Sequence, residues 1–207
     1  HLINPYEPSI ADHFNCPSFT SKGICTLEPP SKQITTSSGR KIANPRYITK
    51  DKLGHYITRR KQYYCATLSE LVMQVKKGRE SLAKRAADRL NLFYDQILID
   101  EFQDFREHDY DLIMALTKNL NNVLLVGDYY QHSVSGTNNS GKPFKSKKNE
   151  VCYNDFVAAL RNDGFEVDEL TLRKSRRCTA SVCNYVKEKL SIPIESANNE
   201  QGEVLWC

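Results

Sequence analysis

A short apolar run, Ile97-Leu98-Ile99, ends in Asp100-Glu101-Phe102-Gln103-Asp104. Two adjacent carboxylates suit nucleotide chemistry: one holds Mg²⁺ directly or through water while the other polarises an attacking water. The same dipeptide also serves as a solvated loop or as the N-cap of a following helix. A second stretch tips the balance. Val123-Leu124-Leu125-Val126 is another short apolar run, and it ends in Gly127-Asp128-Tyr129-Tyr130-Gln131. Two such runs one helix apart, each delivering polar groups at its end, are the pattern of an open α/β sheet. Such sheets bind ligands in the crevice outside the carboxyl ends of their strands.

Positioning these groups takes strands and a crossover. Both runs read as fully buried parallel strands. Residues 107–120 carry Leu112, Ile113, Leu116 and Leu120 at helical spacing, so the whole predicts a right-handed βαβ unit. Upstream, residues 67–93 predict two helices broken at Gly78. Thr67 or Ser69 caps the first, which has Glu70 in its opening turn and carries Leu68, Leu71, Val72 and Val75. The second has Leu82, Ala86, Leu90 and Phe93 on one face, with Lys84, Arg85 and Arg89 outside. Downstream, residues 133–148 predict a polar loop, 153–161 an amphipathic helix, 167–172 a third strand, 179–190 a last helix and 204–207 the beginning of a strand.

The first 65 residues differ in character. Pro5, Pro8, Pro17, Pro29 and Pro30 limit residues 1–30 to a short helix near 9–14. Residues 46–49 and 55–58 alternate around a turn at 51–54, a hairpin pattern. Residues 32–61 contain Lys32, Arg40, Lys41, Arg46, Lys50, Lys52, Arg59, Arg60 and Lys61, with Asp51 the only acid. Tyr47, Tyr56, Tyr63 and Tyr64 lie in or beside this stretch. Basic groups tracking phosphates and rings stacking on bases would hold single-stranded nucleic acid; a two-stranded ribbon with a solvated face has the same composition. Arg40, Lys41, Arg59, Arg60 and Lys61 are the candidate nucleic-acid contacts.

Bulk properties restrict the class. The 207 residues are 40% hydrophobic and 26% charged, with a net charge of +4. No apolar stretch approaches the roughly 20 residues that span a bilayer, and no secretory signal opens the chain. A cytoplasmic protein without membrane association is the expectation. Its seven cysteines are dispersed with no C-x-x-C pair, which reads as reduced thiols. His13, Cys16 and Cys25 match no usual zinc spacing. The missing initiator Met and the abrupt Trp206-Cys207 end lead to the expectation that the chain is an internal piece of something longer.

Ile99-Asp100-Glu101-Phe102-Gln103-Asp104 is similar to the D-E-x-Q-D Walker B motif of superfamily 1 helicases of the UvrD/Rep type. Val126-Gly127-Asp128-Tyr129-Tyr130-Gln131 resembles their G-D-x-x-Q motif. Leu172-Arg173-Lys174-Ser175-Arg176-Arg177 resembles the next, usually L-x-x-N-Y-R. The resemblance implies a partial RecA-like (P-loop NTPase) parallel sheet with a smaller basic accessory insertion. It also implies ATP and Mg²⁺ as cofactors, and ATP-driven movement on single-stranded DNA or on a duplex with a single-stranded tail. By position, Asp100 helps bind Mg²⁺ with Glu101 beside it. Glu101 is the base, Gln103 and Asp104 couple the nucleotide site to the DNA surface, Gln131 senses the γ-phosphate, and Arg177 neutralises charge developing on it. Expected domains are an accessory, DNA-binding insertion at 1–65, part of the ATPase domain at 66–174, and a linker or the start of a second motor domain at 175–207. A protein partner in a repair or antiviral defence complex fits such motors.

Departures from the pattern bear on activity. No G-x-x-x-x-G-K-S/T occurs; Ser37-Ser38-Gly39-Arg40-Lys41 lacks its glycines. Ser175-Arg176 replaces Asn-Tyr before Arg177, and His132-Ser133-Val134-Ser135 replaces the usual aromatic and arginine residues after Gln131. This chain alone is therefore expected not to hydrolyse ATP efficiently. The alternative is an ATPase-inactive nucleic-acid-binding or protein-docking module derived from a helicase.

Overall fold

Pro5 and Pro8 lie in the first turns of helical segments, where their missing N–H is not needed. A 3₁₀ turn at Asn4–Tyr6 leads into α1 (Glu7–His13). The computed structural model describes residues 3–132, 141–146 and 149–198. Contacts divide the chain into two compact units, His1–Val151 and Cys152–Cys207. Each sheet among the described residues has two strands, several of them parallel pairs, so the fold is mixed α/β. No helix among them is long and apolar enough to cross a membrane.

In the first unit β1 (Ile24–Cys25) is followed by the hairpin of β2 (Gln33–Thr35) and β3 (Lys41–Ala43), then by β4 (Tyr63–Tyr64), which lies parallel to β1. The hairpin expected over 46–58 is replaced by turns and a 3₁₀ segment at Leu53–His55. Side-chain anchoring is the physical reason. Tyr56 is drawn fully into the core, where its hydroxyl donates to Gln74 Oε1 at 2.7 Å. His55 Nδ1 sits 2.7 Å from the Ile48 carbonyl oxygen. The actual hairpin turns at Gly39, whose φ of +79° is open to glycine at no steric cost.

The core gathers Tyr6, Ile10, Tyr56, Tyr63, Leu71, Val72, Val75, Leu82 and Ala83, from both sides of residue 65. Burying each large apolar side chain contributes about 1.5–3 kcal/mol. Helix α2 (Leu68–Gln74) ends before Gly78, which at φ +62° turns the short hairpin of β5 (Lys76–Lys77) and β6 (Glu80–Ser81). Ser81 then caps α3 (Leu82–Asn91), accepting from Lys84 N at 3.2 Å. Thr67 holds the N-cap position of α2 without a side-chain hydrogen bond. Phe93 leaves the expected apolar stripe: α3 stops at Asn91, and Phe93 is 66% exposed under the Arg89 guanidinium.

β7 (Ile97–Ile99), α4 (His108–Thr117) and β8 (Val123–Leu125) form the expected parallel βαβ unit, with Leu98 beside Leu124. Helix α4 packs on α2 and α3. The expectation of fully buried strands is corrected: Leu98 is 65% and Leu124 50% exposed. A two-stranded sheet has two faces, and only the Ile97, Ile99, Val123 and Leu125 side is partly covered. After β8 comes the hairpin of β9 (Lys145–Ser146) and β10 (Asn149–Glu150). Most of the expected polar loop, residues 133–140, 147 and 148, lies outside the described residues, as does the expected strand at 204–207.

The second unit contains α5 (Tyr153–Asn162), then β11 (Lys174–Ser175), α6 (Ala180–Leu190) and β12 (Glu195–Ser196), with β11 and β12 parallel. The expected strand at 167–172 is a turn instead. Asp168 Oδ1 accepts from the backbone N–H groups of Leu170 and Thr171, which folds the chain back. Cys16, Cys25, Cys65, Cys152, Cys178 and Cys183 are free thiols.

Candidate functional site

The carboxyl ends of β7 and β8 lie side by side because the two strands are parallel and in register. Pairing continues past the strands: Val126 N–H donates to the Ile99 carbonyl (2.8 Å) and Phe102 N–H to the Val126 carbonyl (2.9 Å). At this point the chain after β7 turns sharply. Glu101 adopts the left-handed conformation, φ +52° and ψ +42°, which costs an L-residue roughly 1–2 kcal/mol. Asp100 Oδ1 supports it by accepting from Glu101 N–H at 2.9 Å. Strained backbone of this kind clusters at working sites. A 3₁₀ turn, Phe102–Asp104, comes next; it buries Phe102 against Tyr110 and leaves Asp104 exposed.

Gln103 is 4% exposed and lies between the two strand ends. Its Nε2 donates to Glu101 Oε2 at 2.5 Å, and its Oε1 accepts from Asp128 N–H at 3.0 Å. Gly127 makes room for this. A Cβ at 127 would lie 2.8 Å from Gln103 Oε1 and 3.1 Å from the Phe102 backbone nitrogen. On the β8 side Asp128 caps a 3₁₀ turn, Tyr129–Gln131. One of its oxygens accepts from Tyr130 N–H and the other from Gln131 Nε2, both at 2.9 Å. Beyond it, Tyr129 donates to the Val151 carbonyl at 2.5 Å, and His132 stacks on buried Phe144 with centroids 4.5 Å apart.

Asp100, Glu101, Gln103 and Gln131 are thus brought together, with the Asp100 and Glu101 carboxylates and Gln131 open to solvent. Hard carboxylate oxygens fit Mg²⁺, which binds through one or two carboxylates plus waters and substrate phosphates. No group of three or more His, Cys, Asp or Glu side chains converges among the described residues; Asp100 and Glu101 are a pair that could offer such oxygens. A cavity of about 820 Å³ lies elsewhere, lined by Tyr6, Tyr63, Val72, Leu82 and Leu112 among others and by none of the candidate residues.

The remaining candidates belong to other elements. Arg177 belongs to the second unit, exposed, with its N–H on Ser175 Oγ at 3.3 Å. Arg40 closes the turn of the β2–β3 hairpin and Lys41 opens β3. Arg59, Arg60 and Lys61 project from a turn that Thr58 ties together, its Oγ1 accepting from the N–H groups of Arg60 and Gln62 at 3.2 Å. All five basic side chains are exposed. The sequence marks Gly127 and Asp128 as part of the strand-end motif without giving either a role of its own, and it does not mark Phe144. A glycine directly before an acid at a strand end was the available signal for the first two; Phe144 gave none, because its contact with His132 is non-local.

Fold and site define a mixed α/β protein whose polar groups gather at the carboxyl ends of parallel strands, where such folds hold ligands. Residues 21–133, more than half of the chain, match the family model of the UvrD/REP helicase N-terminal domain, and the chain belongs to this helicase family. The matched segment includes every candidate residue except Arg177. A comparison with curated proteins finds no match.

Proposed function

We propose that the chain is part of an ATP-dependent DNA helicase that couples ATP hydrolysis to movement on single-stranded DNA or on a duplex with a single-stranded tail. The observation that carries this reading is the pairing of strand ends: an acidic pair on one and a carboxylate-anchored glutamine on the other. Bound Mg·ATP supplies the transferable phosphoryl group and a cation that neutralises its charge. Asp100 would hold the cation with Glu101 beside it, Glu101 would take the proton of the attacking water, and Gln131 would contact the γ-phosphate. By the same resemblance Arg177 would contribute positive charge to that phosphate, and Gln103 and Asp104 would link the nucleotide site to the DNA surface. Residues 1–65 form the accessory DNA-gripping part, 66–174 belong to a RecA-like ATPase domain, and 175–207 form a linker or the start of a second motor domain. A cytoplasmic repair or antiviral defence complex is the setting such a motor fits.

The phosphate-binding loop this chemistry needs is not among the 207 residues. Residues 1–207 are therefore expected to show no magnesium-dependent ATP turnover. A longer protein that joins them to such a loop is expected to turn over, and Glu101→Gln to slow it by about 10²–10⁴-fold, the usual contribution of a positioned base. Turnover that survives Glu101→Gln overturns the reading. A longer protein that binds DNA but not nucleotide favours the ATPase-inactive binding module.

A further inference from the structure

Three hydrogen bonds, relayed through Gln103 and Asp128, join Glu101 to Gln131. Gln103 Nε2 donates to Glu101 Oε2, Gln103 Oε1 accepts from Asp128 N–H, and Asp128 Oδ2 accepts from Gln131 Nε2. The polarity of this run is fixed. A carboxylate only accepts and a backbone N–H only donates, so the Gln103 amide has one permitted orientation. Gln103 is buried, so water does not replace a partner it loses. Nor is there slack, because the backbone at Gly127 passes so close that even a Cβ would meet Gln103 Oε1 at 2.8 Å. A displacement of the Glu101 carboxylate therefore moves the Gln103 amide, and the amide pushes or releases the Gly127–Asp128 backbone that carries the anchor of Gln131.

We infer that Gln103 and Asp128 are positioning residues that make the base and the phosphate-contacting glutamine move as one unit. The roles of Glu101 and Gln131 rest on the function proposed above; the mechanical coupling does not. Gln103 then links the two halves of the nucleotide site to each other, and Asp128 is the second member of that link.

The test is a double-mutant cycle read by the side-chain and backbone amide resonances of ¹⁵N-labelled residues 1–207. Glu101→Ala is expected to shift the Gln131 side-chain amide and the Asp128 backbone amide. In a Gln103→Met background the same change is expected to leave Gln131 unmoved. Gln103→Met by itself is expected to speed hydrogen exchange at Asp128 N–H about tenfold, for the one bond lost. Unchanged resonances of core residues such as Leu71 establish that each variant is folded. Should Gln103→Met not fold, Gly127→Ala takes its place, since it displaces the Gln103 amide without removing any hydrogen-bonding group. A Gln131 resonance that ignores Glu101→Ala, or that shifts equally in both backgrounds, overturns the proposal. No nucleotide enters the measurement, so that result leaves the ATPase reading standing, while loss of the ATPase reading leaves the coupling standing.

Discussion

At residue 127 the structure has space for a hydrogen and for nothing larger. Gly127 has no positive φ to explain it, so close approach to Gln103 and the Phe102 backbone is the reason for glycine. Gly127→Ala is expected to cost about 1–3 kcal/mol, as overpacking at a tight site does. The readout is a lower urea midpoint at unchanged m-value. An unchanged midpoint would mean that Gln103 has room to turn aside. This constraint is only half legible in the sequence. The dipeptide Gly127-Asp128 after an apolar run announces a strand end, but what fills the space beside it comes from Gln103, beyond the end of a different strand. Glu101 is similar: its acidity is plain from the sequence, whereas its left-handed backbone arises from the turn that Phe102 makes back onto Val126.

At the scale of elements, residues 46–58 show how one anchored side chain overrides a local pattern. The alternation there is genuine, but Tyr56 gains more from complete burial and its bond to Gln74 than a two-stranded ribbon gains from pairing. Burial, and then the Glu70 carboxylate nearby, push the Tyr56 hydroxyl up from 10.0 to about 12. The sign comes from linkage. Above pH 10 the unfolded chain releases this proton while the folded one keeps it, so the stability it contributes is present below 10 and lost as pH rises towards 12. Burial also raises Tyr63, which acts in the same direction. Tyr56→Phe is therefore expected to flatten the alkaline fall in unfolding midpoint measured from about pH 9 to about pH 12. An identical fall in wild type and variant would assign it to other groups. The βαβ unit, by contrast, is legible in the sequence because its period changes twice within thirty-odd residues. What periodicity does not report is how many neighbours a strand has, and for that reason Leu98 and Leu124 emerge exposed.

Across the molecule, charge is segregated. Cations cluster between residues 40 and 61, most of them on turns, and acids close the strand ends. In Arg59, Arg60 and Lys61 the backbone is tied down and the side chains are free to reach a polyanion. Reversing all three to Glu is expected to weaken binding of single-stranded DNA. It should also flatten the log–log salt dependence by about 0.7 for each phosphate no longer neutralised. An unchanged slope would move the gripping surface elsewhere. The strand-end site has its own dependence on distant parts of the chain. β7 and β8 share only three register pairs, and α4 between them is held by α2, α3 and the core beneath. Asn91, at the end of α3, clamps the return from α4 by donating to the Asn119 carbonyl (2.7 Å) and accepting from Asn121 N–H (3.0 Å). Held by one set of contacts, the helix, the clamp and the two strands are expected to open and close together. The lifetime of the arrangement around Glu101 is then expected to follow that opening event, so that a slower-opening α4, read by slower hydrogen exchange at Val126 N–H, gives a longer-lived site without any change at the carboxylates.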